Sequence, residues 1–297
     1  MPELPEVETI KNDLKPRVVG KKIAAVEVRS EKTVRGSVRA FKLALPGKKF
    51  IDISRRGKLL IFKVIGGQFL LIHLKMTGQL IYCGPDGLVA GGHANSEAEE
   101  ERFGADQPDS FCRPNKYTRV IFRFSDNSQL FFNDLRRFGY LQIVDKKKLT
   151  QVLAGFGPEP LAREFSLSYF SEILTSRRKS IKAVLLDQKL IAGIGNIYAD
   201  ESLFAAGIRP MRPAHTLTAA EKKKLFSAIK NIIKKAIKYR GTTFSNYVDG
   251  RGQAGGFRRL LKVYCREGQK CLRCRDGIIK KTTVAGRGTR YCPVCQR

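Results

Sequence analysis

The sequence predicts an α+β chain in three parts: an antiparallel β region behind one helix, a helical region, and a small metal-binding ribbon. Three observations carry this. Residues 18–82 and 117–144 are rich in β-branched and aromatic residues with glycine-containing breaks, as strands and hairpins require. After “GFGPEPL” the apolar residues recur every three to four positions, the period of helices. Cys271, Cys274, Cys292 and Cys295 then follow C-x2-C-x17-C-x2-C, the spacing of a four-thiolate zinc ribbon.

The elements follow in chain order. “MPELPEVETIKNDL” reads as a helix start. Pro5 suits a first turn, where its missing N–H costs nothing. Glu3, Glu6 and Glu8 suit the positive end of the dipole, and Leu4, Val7, Ile10 and Leu14 share one face. “KKIAAVEVRS”, “KKFIDISRRGKLLIFKV” and “QFLLIHLKMTGQLIY” read as strands, and “YTRVIFRFSDNSQLFFNDLRRFGYLQIV” as a hairpin turning at “SDNS”. Residues 84–116 are polar and aperiodic, and are expected to be a surface insertion. “SLSYFSEILTSR”, “SIKAVLLDQ” and “NIYADESLFAAG” are expected helices. “TAAEKKKLFSAIKNIIKKAIKYRG” is the clearest one, with Thr218 and Glu221 as a capping box and Gly241 as the stop. Residues 241–257 hold too many glycines for a regular element.

Charge narrows the function. The 297 residues carry 56 Lys+Arg against 27 Asp+Glu, a net charge of +29. Such an excess attracts polyanions, nucleic acid foremost. Residues 258–297 hold 12 of the basic residues and two acids, so phosphate contact is expected there. No apolar run is long enough to span a bilayer and no signal peptide is evident, which argues against a membrane role. The expected compartment is the cytosol, where thiols stay reduced, so the seven cysteines point to metal before disulfides.

Several motifs bear chemistry. A closed four-sulfur site is structural, and one zinc ion per chain is the expected cofactor. Arg287, between two glycines in “VAGRGTR”, lies at the expected tip of a β-ribbon and can grip a phosphate bidentately. Gly193 and Gly195 allow a tight turn into a helix at Asn196, where free N–H groups favour an anion; a plain helix junction would look the same. Met76, Arg136 and Phe138 are ordinary strand-end residues or, in a DNA-binding chain, a wedge filling the place of an extruded base.

“PELPEVET”, “RRGKLL”, “HLKMTG”, “NDLRRFG”, “GPEPL”, “AGIGNIYADESLFAAGI”, “YVDGRGQAGGF” and the cysteine ribbon occur in that order from end to end. In this the chain resembles the bacterial formamidopyrimidine-DNA glycosylases, relatives of endonuclease VIII. The resemblance implies a catalytic β-sandwich domain (1–150), a helix–two-turn–helix domain (156–257) whose loop 241–257 closes over an everted purine, and a zinc finger (258–297). It implies a monomer acting in the bacterial cytosol on double-stranded DNA that contains oxidised bases, which lies in the cleft between the domains.

The resemblance also implies roles. Pro2, freed by removal of Met1, is the nucleophile, Glu3 the general acid/base and Glu6 a supporting carboxylate. The chemistry agrees, since an α-amino group has a pKa roughly 2.5 units below that of lysine and is far more often deprotonated at neutral pH. Lys58 lies near the lesion, and Met76, Arg136 and Phe138 fill the void. Asn196, Tyr264 and Arg287 contact phosphate, with Arg287 also tied to a second elimination. Tyr117 and Arg178 are looser DNA-contact candidates. Lys75 and Cys265 depart from the family pattern, and Cys83, Cys112 and Cys265 receive no zinc role, so they are expected to be small buried residues. Two other functions compete: an endonuclease VIII-like enzyme for oxidised pyrimidines, and a non-catalytic zinc protein that binds DNA. “PELPE” and the long glycine-rich loop favour the purine enzyme over the first, and Pro2, Glu3 and Lys58 argue against the second.

Overall fold

The computed structural model describes residues 2–92, 112–242 and 255–297. It forms two compact units, residues 1–153 with 239–256, and residues 154–238 with 257–297. The division departs from 1–150, 156–257 and 258–297 in two respects. Residues 239–256 group with the β unit, and the zinc ribbon groups with the helices.

The first unit opens with α1 (Leu4–Val18). Two antiparallel sheets follow. One contains β2 (Phe50–Arg56), β3 (Leu59–Val64), β4 (Phe69–His73) and β9 (Tyr140–Val144), in that order. The other runs β1 (Ile23–Val28), β7 (Thr118–Phe124), β8 (Gln129–Asp134), β5 (Gly78–Gly84) and β6 (Gly87–Gly92). Phe50, Phe62 and Ile72 from one sheet and Leu80, Phe122 and Phe132 from the other share a core with Val7, Ile10 and Leu14 of α1. This is a β-sandwich closed by the apolar face of its N-terminal helix. The hairpin at “SDNS” is present, with Asn127 in the left-handed region at φ 65°. A short helix, α2 (Val38–Ala44), joins β1 to β2.

Two expectations about residues 84–116 are corrected. Residues 87–92 are not loop but the edge strand β6, paired antiparallel with β5. The small residues of “GLVAGG” hid this, and they are there for packing. A Cβ on Gly91 would lie 2.6 Å from Ile10 Cγ1, so only glycine lets α1 approach this strand. Cys83 and Cys112 are not free thiols but a disulfide, their Cα atoms 5.6 Å apart as a bridge requires. The pairing spans 29 residues of sequence, too far for local patterning to reveal. Cys265 is free and exposed rather than buried.

The second unit contains α3 (Lys146–Ala154) only in its last residue. It is built from α4 (Leu167–Thr175), α5 (Ile181–Leu186), α6 (Asn196–Ala206) and α7 (Ala219–Lys238). The Thr218 N–H donates to Glu221 Oε2 at 2.8 Å and the Glu221 N–H to Thr218 Oγ1 at 3.2 Å, so the capping box forms. Leu225, Ile229, Ile233 and Ala236 are buried along one face of α7. The unit ends in the ribbon β10 (Lys280–Val284) and β11 (Arg287–Tyr291). Ala285 and Gly286 both have positive φ, the backbone of a two-residue hairpin turn. Among the described residues no helix is long and apolar enough to cross a membrane.

Candidate catalytic and nucleic-acid-binding site

The N-terminus of the first unit carries the catalytic candidates. Pro2, Glu3 and Glu6 are buried, the two acids 2% and 3% exposed. Glu3 sits at the N-cap of α1. Glu6 Oε2 accepts the Glu3 N–H at 2.9 Å, and its Oε1 accepts the Thr242 N–H at 2.7 Å. One carboxylate thus ties the first residues to the base of the 241–257 segment. Gly241 has φ 81°, and a Cβ there would lie 2.7 Å from Glu6 Oε1, so glycine is needed for this close approach. The center of that segment, residues 243–254, lies outside the described residues.

Lys58 follows Gly57 in the tight β2–β3 turn and is 6% exposed. The strand after it pairs Leu59 with His73. Desolvation and the nearby cations Lys75, Lys58 and Arg35 push the His73 imidazole down to about 3, so it is neutral at physiological pH. Its Nδ1 accepts the Lys75 N–H at 3.0 Å, which leaves the proton on Nε2.

Met76, Arg136 and Phe138 come from two separate loops and meet. The Arg136 Nη1 approaches Met76 Sδ at 3.3 Å, and its guanidinium lies 4.8 Å from the Phe138 ring centroid. Met76 and Phe138 are 37% and 52% exposed, unusual for large apolar side chains. Lys75 and Arg137, beside them, adopt φ of 52° and 58°. Asp134 organises both loops. Its Oδ1 accepts the Thr77 hydroxyl and the Arg136 N–H, and its Oδ2 accepts the Gly139 N–H at 2.7 Å. Half-buried Tyr117 lies beside this clamp, its carbonyl accepting the Asp134 N–H at 2.9 Å.

In the second unit α6 gathers three more candidates. Asn196, in its first turn, donates Nδ2–H to the Gly288 carbonyl at 2.8 Å, next to exposed Arg287. Glu201 is buried and accepts the N–H groups of Lys262, Val263 and Tyr264 at 2.9–3.0 Å. This fixes the backbone that carries Tyr264, whose ring lies 4.6 Å from the Arg290 guanidinium. Burial raises the Glu201 carboxyl above its usual range, against those N–H groups. Arg178 is exposed on the 176–180 connection, outside this network.

The four ribbon cysteines converge, their sulfurs all within 4.8 Å of one another. Cys271 and Cys295 sulfurs are 3.7 Å apart, and those of Cys274 and Cys292 are 3.8 Å apart. Zn–S bonds of ~2.3 Å in a tetrahedron put sulfurs roughly 3.8 Å apart, so the cage fits one zinc ion. The N–H groups of Arg273, Gly277 and Cys295 point at these sulfurs and offset thiolate charge.

Sequence reasoning missed His73, Thr77, Asp134 and Glu201 as supports of these candidates. Asp134 had a signal, since an acid two residues before the exposed “RRF” at a strand end suits a turn clamp. Buried charge on α6 had none.

The sequence matches the family profiles described as formamidopyrimidine-DNA glycosylase N-terminal domain over residues 1–141, and as its H2TH domain over 156–248. It matches a zinc finger found in FPG and IleRS over 268–297. A formamidopyrimidine-DNA glycosylase of Carboxydothermus hydrogenoformans is 42% identical, with all of both chains covered. One of Pelotomaculum thermopropionicum is 41% identical, covering all of this chain and 99% of the relative. Among solved structures, Lactococcus lactis Fpg with DNA containing an abasic site superposes with a TM-score of 0.84, at 35% identity over 99% of each chain. The same enzyme with DNA containing Fapy-dG gives 0.84 at 34% identity, over 99% of this chain and all of that one.

Proposed function

Since the chain belongs to the formamidopyrimidine-DNA glycosylase family, we propose that it excises oxidised purines from duplex DNA and then cleaves the abasic site. The observation that carries this reading is the buried N-terminal group, Pro2 and Glu3 fastened by Glu6. With Met1 removed, the Pro2 secondary amine attacks C1′ of the damaged nucleotide and the base leaves. Loss of the amine proton and opening of the C1′–O4′ bond, with the proton passed to O4′, then give a cationic iminium, an electron sink that lets C2′ lose a proton. Expulsion of the 3′ phosphate is β-elimination, and expulsion of the 5′ phosphate is the second elimination. Glu3 is the proton carrier beside the amine. Lys58 and neutral His73 place one charge and one N–H donor near the lesion phosphate.

Met76, Arg136 and Phe138 fill the vacated stack, and the Arg136 guanidinium offers donors to an orphaned cytosine. Tyr117, Arg178, Asn196, Tyr264 and Arg287 are DNA contacts, with Arg287 supporting the second elimination. Residues 241–257 cover the everted base. The zinc bound by Cys271, Cys274, Cys292 and Cys295 is structural: it holds the ribbon in shape. The protein works as a monomer in the bacterial cytosol, away from membranes, where its +29 charge draws it to DNA.

Borohydride trapping on a duplex with 8-oxoguanine opposite cytosine tests this. The expected product is a stable cross-link between DNA and the N-terminal peptide. A cross-link mapped to Lys58 overturns the nucleophile assignment.

A further inference from the structure

We infer that Asp200 and Lys182 are a positioning pair that sets Arg287 for the second elimination; this rests on the role proposed for Arg287. Both side chains are fully buried, with Lys182 Nζ 2.6 Å from Asp200 Oδ1. Further partners of both lie on β11. Lys182 Nζ donates to Thr289 Oγ1 at 2.8 Å and lies 3.2 Å from the Gly288 carbonyl. Asp200 Oδ2 accepts the Arg290 N–H at 2.9 Å. Thr289 Oγ1 in turn donates to the Arg287 carbonyl at 2.9 Å. Every residue from 287 to 290 is therefore gripped, directly or through Thr289, by one ion pair on α5 and α6.

The chemistry explains why the pair is ionic. A two-stranded ribbon is marginal in isolation, and its zinc lies at the end away from the hairpin tip. Arg287 is exposed at that tip, so the placement of its guanidinium depends on how firmly the strand below it is held. Apolar side chains could fill the same volume and would often be at least as stable. They could not supply a donor to Thr289 and an acceptor to Arg290 together. Burial pushes the Asp200 carboxyl up to about 6 even against Lys182, yet it is still ionised at neutral pH.

The test is the ratio of second-elimination to β-elimination product on an abasic duplex, measured for Arg287→Ala, for the double variant Lys182→Met/Asp200→Leu, and for Asp200→Asn. Loss of fold would depress both steps together, whereas lost positioning shifts the ratio. The double variant is expected to bind one zinc and to form the borohydride-trapped adduct at near the parent rate. Its product ratio is expected to fall ~tenfold or more, within the ~100-fold that a 1 Å misplacement can cost. Arg287→Ala should shift the ratio the same way. If the double variant loses zinc, Asp200→Asn decides: it keeps an acceptor for Arg290, frees Lys182, and should give a smaller shift in the same direction. An unchanged ratio in a folded pair variant, with the Arg287→Ala ratio shifted, overturns the positioning role alone. An unchanged ratio in Arg287→Ala overturns the role of Arg287 and the inference with it.

Discussion

Replacing Asp134 by asparagine asks whether Met76, Arg136 and Phe138 act as one rigid wedge. The Asp134 carboxylate is fully buried and accepts from Thr77, from the Arg136 N–H at 3.2 Å and from the Gly139 N–H at 2.7 Å. Asparagine keeps the first oxygen but turns an amide nitrogen toward the Gly139 N–H. One charge-assisted bond is lost and two donors meet. A hydrogen bond to a charged group contributes about 1.5–3 kcal/mol, and an unsatisfied buried donor costs about 1–3 kcal/mol. A loss of about 2–3 kcal/mol from the ordered 135–139 turn is the reasonable middle, and as a barrier change it is roughly 30- to 160-fold in rate. The assay is single-turnover excision of 8-oxoguanine opposite cytosine, set against cleavage of a duplex that already has an abasic site. Excision should slow by that order. Abasic cleavage should slow by less than about threefold, because no base is left to unstack. Equal slowing on both substrates would refute the wedge and leave Asp134 a plain structural clamp.

Three further outcomes are expected. Chelating the zinc should abolish DNA binding together with the ribbon’s fold, because structural zinc supplies folding free energy; a metal-free protein with full affinity would contradict this. Arg287→Ala should weaken binding to damaged and undamaged duplex alike and lower the salt slope by about one, read from affinity between 50 and 200 mM salt. His73 is protonated in the unfolded chain below pH 6.5 but in the native state only near pH 3, so acid favours unfolding across that window. Stability should fall as pH drops from 6.5, with a slope of at most ~1.4 kcal/mol per pH unit for this one proton. Urea unfolding of His73→Asn should show a flatter pH dependence, and identical slopes for parent and variant would contradict it.

What the sequence made legible follows from the range of the interactions involved. The capping box at Thr218 and Glu221, the “SDNS” hairpin and the cysteine cage are set by residues within a few positions of one another or by one fixed ligand spacing. Lys75 and Cys265, which depart from the family pattern, both sit at φ above 50°, where glycine would be unstrained. The Cys83–Cys112 bridge and strand β6 were hidden because each depends on a partner far along the chain, Ile10 in the case of Gly91. Met76, Arg136 and Phe138 were legible as a trio only through the family resemblance, since Met76 and Arg136 are 60 positions apart and meet because Asp134 and Thr77 join two loops. Asp200 and Glu201 were least legible of all. On the helix they read as a polar pair that belongs in water, and both are buried. Each receives main-chain N–H groups from another segment, Arg290 for one and Lys262 to Tyr264 for the other. Two adjacent acids on α6 thus hold the strand of Arg287 and the loop of Tyr264 to the helix that begins with Asn196. The phosphate contacts proposed for this unit therefore share one rigid support, and a change at Asp200 should reach DNA without touching it.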